Sequence, residues 1–559
     1  MRRIVAPLAL VLSTALAGCI PAAHQTSLKS APAPAPKGPP RLIVAVSVDQ
    51  FSADLFAQYR QHYTGGLARL LGGAVFPSGF QSHAATETCP GHSTLLTGVH
   101  PARTGIIANN WYDPGSPRGE KPIYCAEDER DPASSARNPV VSAVHLKVPT
   151  LGEMLKAANP ASRNVAVSAK DRAVMMMGGH TIDAAYWWKG AGFVTLNGRT
   201  LSPAAEAANT QVAALLKAGA PALVPPAWCA PNDRAVSVGK ATVGTGRFGL
   251  APNQPDALRV SPRMDAATVD LANGLIDEMG LGKGAATDVL SVSLSATDYI
   301  GHATGTEGVE MCIQMAQLDQ TLGRLFEHLD AAGIDYVVAL SADHGGLDTP
   351  ERSDQQAFPR AMRADRALMP ADLSRIVAAK TGIATRGQLL IADGPFGDFY
   401  VNRELGADQR AVVARALIAV VKTHPQVAAA FTAEELASTP LPAGNPQDWT
   451  LKERARASFD PARSGDVVVL LDRAVTPIPE AIPGMIIATH GSAFDYDRRV
   501  PMLFWRRGLP GFEQPQPVET VDIAPTLAAI IGLKVREGTF DGRCLDLDGG
   551  AGNTCDVQR

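Results

Sequence analysis

The chain lacks any run of lysine or arginine interleaved with aromatic residues, and its formal net charge is only -4 over 559 residues. The electrostatic footprint of a nucleic-acid binder is therefore missing, which argues against a docked nucleic-acid partner while leaving nucleotides open as substrates. No internal repeat is visible, so repeat architectures are set aside. Nor is the first apolar stretch, Ile4 to Leu16, long enough to span a bilayer as a stable anchor. Against these absences stands a hydrophobic content of 46%, enough for a large core, although length alone permits several domains.

The first residues read as an export signal, with Arg2 and Arg3 before the apolar stretch and small residues after it. Ala15-Leu16-Ala17 fits an ordinary secretory site. Leu16-Ala17-Gly18-Cys19 resembles a bacterial lipoprotein box that would put lipid on Cys19, and this reading is slightly preferred. The expected division is thus a signal peptide over 1–18, an Ala/Pro-rich linker over 19–40 containing Ala31 to Pro36, and a catalytic body over 41–559. The mature protein is expected outside the cytoplasm, periplasmic or extracellular. Six cysteines follow Cys19, an even count that suggests bridges in an oxidising compartment. Cys544 with Cys555 is the best local pairing, while Cys89 and Cys312 read as free thiols.

Three β-branched apolar runs of strand length, Leu42 to Val48, Asp288 to Leu294 and Tyr336 to Leu340, each lead into acidic residues. Helical patterns lie at Leu151 to Ala158, Val309 to Leu329, Asp408 to Val421 and near Asp522 to Ile531, closed by Gly532. Buried strands alternating with helices imply an α/β fold, a mostly parallel sheet between helices, with chemistry at the carboxyl ends of the strands. Stretches rich in Gly, Pro and polar residues near 112–145, 185–262 and 348–405 are expected to be insertions that build a cap.

The acids and imidazoles that follow apolar runs are Asp49, Asp298 with His302, Asp343 with His344, and His490. Carboxylate oxygens and neutral imidazoles are zinc donors, and six of them with one hydroxyl suffice for two ions that share a nucleophile. The D-x-x-x-H spacing of Asp298 and His302 lets one helical turn aim both at one ion. Asp343 and His344 precede two glycines, which let backbone approach closely. Thr88 opens Thr88-Cys89-Pro90-Gly91-His92, a turn into a short helix whose N-terminus suits a phosphoryl group. Taken singly, Thr88 reads as a helix cap and His490 as a core histidine. Lys170 and Arg172, two apart after the strand-like Val165 to Ser168, would point to the same side of an extended backbone and reach one anion together. His92, next to the Thr88 turn, either orients a carboxylate or phosphate or is structural, and it is left off the catalytic set. Trp111 and Tyr112 either floor a leaving-group site or pack beneath the cap.

The ordered set Asp49, the Thr88 turn, D-x-x-x-H, Asp343-His344-Gly345, Thr489-His490-Gly491 and Val521 to Leu527 resembles the alkaline phosphatase superfamily of two-zinc phosphotransferases, over nearly all of 41–545. The resemblance implies one zinc on Asp298, His302 and His490, and another on Asp49, Asp343, His344 and the Thr88 oxygen. It assigns Asn109, twenty-one residues after Thr88, as an amide donor to phosphate. Lys170 with Arg172 resembles the PafA or PhoK type of bacterial alkaline phosphatase. A monoester carries about one more negative charge than a diester, which a second buried cation rewards.

The expectation is an exported alkaline phosphatase acting on small-molecule phosphate monoesters through a phosphothreonine, with two zinc ions; iron or manganese accepts the same donors. The competing readings are a nucleotide pyrophosphatase or phosphodiesterase of the same superfamily, and a metal- or phosphate-binding lipoprotein without turnover. The oligomeric state is left open.

Overall fold

The computed structural model describes residues 38–558 apart from 117, 119, 120 and 483. The signal peptide, the Ala/Pro-rich linker up to residue 37 and the lipid site at Cys19 lie outside the described residues.

A central sheet is formed by β1 (Leu42–Val48), β2 (Ala74–Phe80), β3 (Asn164–Ser168), β4 (Ala184–Lys189), β5 (Asp288–Leu294), β6 (Tyr336–Ser341) and β7 (Arg499–Arg506), with short edge strands at Gly192–Val194, Phe512–Glu513 and Val518–Glu519. Its order from Phe512–Glu513 runs β2, β7, β6, β1, β5, β3, β4 and then Gly192–Val194. The five strands from β6 to β4 are parallel, and β7 is antiparallel to both β6 and β2. The sheet is therefore mixed, with the expected parallel centre. Alternate side chains enter opposite cores: Leu42, Val44, Val46 and Val48 pack on one face, Ile43 and Ala45 on the other. Burial on both faces explains why these strands read as unbroken apolar runs.

Helices cover both faces. On one, Pro262–Met279 packs against Val309–Ala331; on the other lie Leu151–Ala158 and Ile523–Ile530. Among the described residues no helix is long and apolar enough to cross a membrane.

Two expected insertion boundaries need correction. The region 185–262 is part of the main body: β4 and Gly192–Val194 extend the central sheet, and Trp188, Phe193, Leu216, Cys229 and Leu250 join its core. Conversely, the insertion expected at 348–405 continues much further. Strands Leu390–Ile391, Gly397–Val401, Val467–Leu471 and Val427–Thr432 form a separate antiparallel sheet, packed by Pro370–Thr381 and Ala407–Val421 around a core that includes Phe399, Leu417 and Val469. The helix over Ala407–Val421 thus belongs to this cap and not to the parallel sheet. The stretch after Tyr112 holds a hairpin of Asn110–Tyr112 with Pro122–Tyr124 and a long loop.

All six cysteines after Cys19 are bridged: Cys89–Cys125, Cys229–Cys312 and Cys544–Cys555. The local pairing was anticipated. Cys89 and Cys312 are not free thiols; apolar surroundings do not distinguish a buried thiol from half of a buried bridge.

Candidate metal and phosphate site

The parallel strands deliver the site. Asp49 follows β1, and the next residue, Gln50, takes a left-handed backbone (φ 65°), an uncommon conformation for a residue with a side chain. That turn aims the Gln50 N–H at Asp343 Oδ1, 3.1 Å away. His344 N donates to the same oxygen at 3.0 Å, so Asp343 Oδ2 is left facing the other donors. After β5 the chain winds into α3 (Ala296–Thr304), where the i,i+4 spacing puts His302 Nε2 3.2 Å from Asp298 Oδ1. The single-turn geometry expected for this pair is observed.

His490 follows a short apolar run, Met485 to Ile487. The run before it is not a strand: Met485 is exposed, and the loop returns from the cap with Ile482 bridged to Ile486. His490 nevertheless reaches Asp298 Oδ1 with Nε2 at 3.5 Å, and its ring stacks on His344 with centroids 3.6 Å apart.

The three imidazoles share one arrangement. Nδ1–H of His302 donates to Ala488 O (2.9 Å), that of His344 to Gly345 O (2.8 Å) and that of His490 to Thr86 O (2.8 Å). Each carbonyl fixes the tautomer and leaves an Nε2 lone pair directed at carboxylate oxygen. His344 Nε2 lies 3.5 Å from Asp49 Oδ1 and 3.3 Å from Asp343 Oδ2. Burial holds both His344 and His490 below the ordinary imidazole range, favouring the neutral form that ligates metal. Burial and the neighbouring Asp343 push Asp49 well above the ordinary carboxylate range. Asp49 Oδ1, Asp298 Oδ1, Asp343 Oδ2 and His344 Nε2 are buried without a hydrogen-bond partner, whereas Asp49 Oδ2 is met by Lys170 Nζ. Acceptors facing acceptors at these distances repel unless a cation lies between them, so the donor set fits divalent metal. The tightest groupings are Asp49, Asp343, His344 and Asp298, His344, His490, with His344 common to both.

Thr88 is the first residue of α1 (Thr88–Thr97). The N-cap is Glu87, so Thr88 does not serve as the cap. Gly91 lets this helix press against the backbone of Asp343; a Cβ there would collide with it. His92, left aside by the sequence reading, lies beneath the site: its Nδ1–H donates to Thr88 O at 2.9 Å and sits 3.1 Å from Asp343 Oδ2, while Nε2 accepts from Ser293 Oγ at 3.1 Å. It couples the hydroxyl-bearing residue to an acidic donor, the carboxylate-orienting one of its two expected roles.

Lys170 and Arg172 converge as expected, although not along an extended strand. β3 ends at Ser168, Lys170 is the N-cap of α2 (Asp171–Gly178), and Arg172 lies in its first turn. Lys170 Nζ and Arg172 Nη2 each lie 3.4 Å from Thr88 Oγ1. Lys170 Nζ is also 2.5 Å from Asp49 Oδ2 and from Asp298 Oδ2. Burial works against its charge, but these two carboxylates outweigh burial and hold its pKa above the ordinary lysine value. Asn109 Oδ1 accepts from Cys89 N at 2.9 Å, which turns the amide NH2 away from that contact. The Asn109 backbone N–H is held by Glu87 Oε2 at 2.9 Å. Glu87 escaped the sequence reading, and its adjacency to Thr88 was the only available signal. Trp111 and Tyr112 both line the cavity above Thr88 and stand close to the cap, Tyr112 with its ring 5.6 Å from Tyr400.

Residues 43–493 match the family described as type I phosphodiesterase / nucleotide pyrophosphatase. The chain is 53% identical over 519 residues to alkaline phosphatase PhoK of a Sphingomonas species, covering 92% of this chain and 93% of that one. It is 49% identical over 527 residues to alkaline phosphatase PhoD of Zymomonas mobilis, covering 93% and 90%. The crystal structure of wild-type alkaline phosphatase PafA superposes with a TM-score of 0.77 at 25% identity, covering 91% of this chain and 98% of that one.

Proposed function

The chain belongs to the type I phosphodiesterase / nucleotide pyrophosphatase family of the alkaline phosphatase superfamily, and from that premise we propose that it hydrolyses phosphate monoesters with Thr88 as nucleophile and two zinc ions. It is an enzyme of the phosphatase superfamily, and the family implies a divalent metal. One ion is assigned to Asp298, His302 and His490, the other to Asp49, Asp343, His344 and Thr88 Oγ1. Bound there, zinc lowers the pKa of a ligated hydroxyl and neutralises charge on phosphate.

The chain's own groups do the rest. Thr88 Oγ1 attacks phosphorus in line, an O–P bond forms as the bond to the leaving oxygen breaks, and a phosphothreonine results. Water then cleaves it, restoring the hydroxyl and releasing inorganic phosphate. Arg172, Lys170 and the Asn109 amide take the non-bridging oxygens, because phosphoryl transfer needs positioning and charge neutralisation more than proton shuffling. His92 is a positioning residue that orients Asp343 and the backbone of Thr88.

The observation that carries the monoesterase reading is the convergence of two cations on the threonine oxygen. The family description favours a phosphodiesterase as the second reading. A diester has less charge with which to reward Lys170. Three disulfides support an oxidising compartment, and with Arg2, Arg3 and Cys19 they support an exported, membrane-tethered enzyme.

Thr88→Ala is the direct test. Phosphate release should fall about a thousandfold or more while elemental analysis still finds metal. Activity close to that of the parent would refute Thr88 as nucleophile.

A further inference from the structure

Thr88 opens onto a cavity of about 390 Å³ enclosed by the hairpin that begins at Asn110, the cap sheet and the loop bearing His490. Thr88, Arg172, His302 and His490 line its floor, whereas Asp49 and Asp343 do not. The cavity therefore lies on the side of His302 and His490 rather than of Asp49 and Asp343. In an in-line transfer this is where the leaving alcohol must sit.

The walls of this cavity are aromatic and acidic. Trp111, Tyr112, Phe396 and Tyr400 supply rings, and Asp393 and Asp398 supply carboxylates. Asp398 Oδ1 accepts from Gly465 N at 2.6 Å, and Asp393 is hydrogen-bonded by the Asn110 side chain. These partners are neutral; no lysine or arginine pairs with either acid among the described residues. Of the described lining residues Arg172 alone carries a fixed positive charge, and its guanidinium is directed to Thr88 at the phosphate end. Burial raises both acids above the ordinary carboxylate range, Asp398 to about 6, so that Asp398 is ionised in alkaline solution with no cation beside it.

We infer that this cavity is a leaving-group subsite selective for phosphate monoesters of small alcohols that bear an ammonium group, and against those whose alcohol carries a carboxylate or a further phosphate. The inference rests on the phosphomonoesterase reading. An ammonium among ring faces and carboxylates is attracted by both, while an anionic alcohol meets like charge in a partly desolvated space. Attraction and rejection then work together to set specificity.

The test compares kcat/KM for phosphorylcholine, glycerol phosphate and 3-phosphoglycerate on the metal-loaded full chain and on Asp393→Asn and Asp393→Lys. Asp393 is exposed to solvent, so both variants should fold. The parent should rank the substrates cationic, neutral, anionic, with the first and last separated by about tenfold or more. Asp393→Asn should shrink that ratio several-fold, and Asp393→Lys should invert it. Because each ratio uses the same substrates, intrinsic reactivity cancels between parent and variants. Equal rates on all three, or a ratio unmoved by both substitutions, would overturn the subsite. Absence of phosphate release from every monoester, nitrophenyl phosphate included, would instead overturn the function beneath it.

Discussion

The main body and the cap meet across Thr88, and they are constructed by opposite rules. In the main body, parallel strands buried on both faces end within the site, so that Asp49, Asp298, Asp343 and His344 are fixed by the same backbone that forms the core. The cap has its own antiparallel sheet and its own core, and it lends the site one loop imidazole, His490, and the walls of the cavity. The difference teaches where variation in substrate can arise without disturbing the candidate metal donors. Donor geometry is tied to global stability, whereas pocket chemistry is tied to a separately packed unit.

Three perturbations should separate the two regions, beginning with the largest effect. Removing metal with a chelator should abolish phosphate release and also lower the unfolding temperature, because a ligand bound only by the folded state stabilises it by about 2.7 kcal/mol at a hundred times its Kd. Zinc should restore both; activity that survives complete metal removal, verified by elemental analysis, would break the comparison at its root. Next, Phe399→Ala removes a fully buried ring from the cap core and should cost about 3–5 kcal/mol. Hydrogen exchange should accelerate within 370–471 and leave β1, β5 and β6 protected. Global exchange would mean that the two cores unfold as one. Smaller still, Cys229→Ala with Cys312→Ala opens an 83-residue separation within the main body and should cost about 2–4 kcal/mol. Denaturant unfolding should register that loss while leaving the substrate preferences set by the cap intact.

The same division decides what could be read from the chain alone. Leu42–Val48 and Asp288–Leu294 announced themselves because a strand buried on both faces is apolar throughout, and α3 followed from the i,i+4 spacing of its two donors. The cap misled because an amphipathic helix such as Ala407–Val421 has the same period whichever sheet it packs on. Lys170 and Arg172 were paired for the wrong backbone, a strand instead of a helix start, yet their side chains converge in either case. His490 offered no strand to place it, and only the ordered motif set identified it. Glu87, Asp393 and Asp398 act through contacts made by distant segments, which no local pattern encodes.

The most direct measurement is the ratio of kcat/KM for a nitrophenyl phosphate to that for its methyl diester, in the parent and in Lys170→Ala with Arg172→Ala. The parent should favour the monoester by about a hundredfold or more, and the double substitution should collapse most of that preference by weakening the monoester selectively. A parent that prefers the diester, or a double variant that keeps the ratio, would contradict the assignment of these two cations to the charge that distinguishes a monoester.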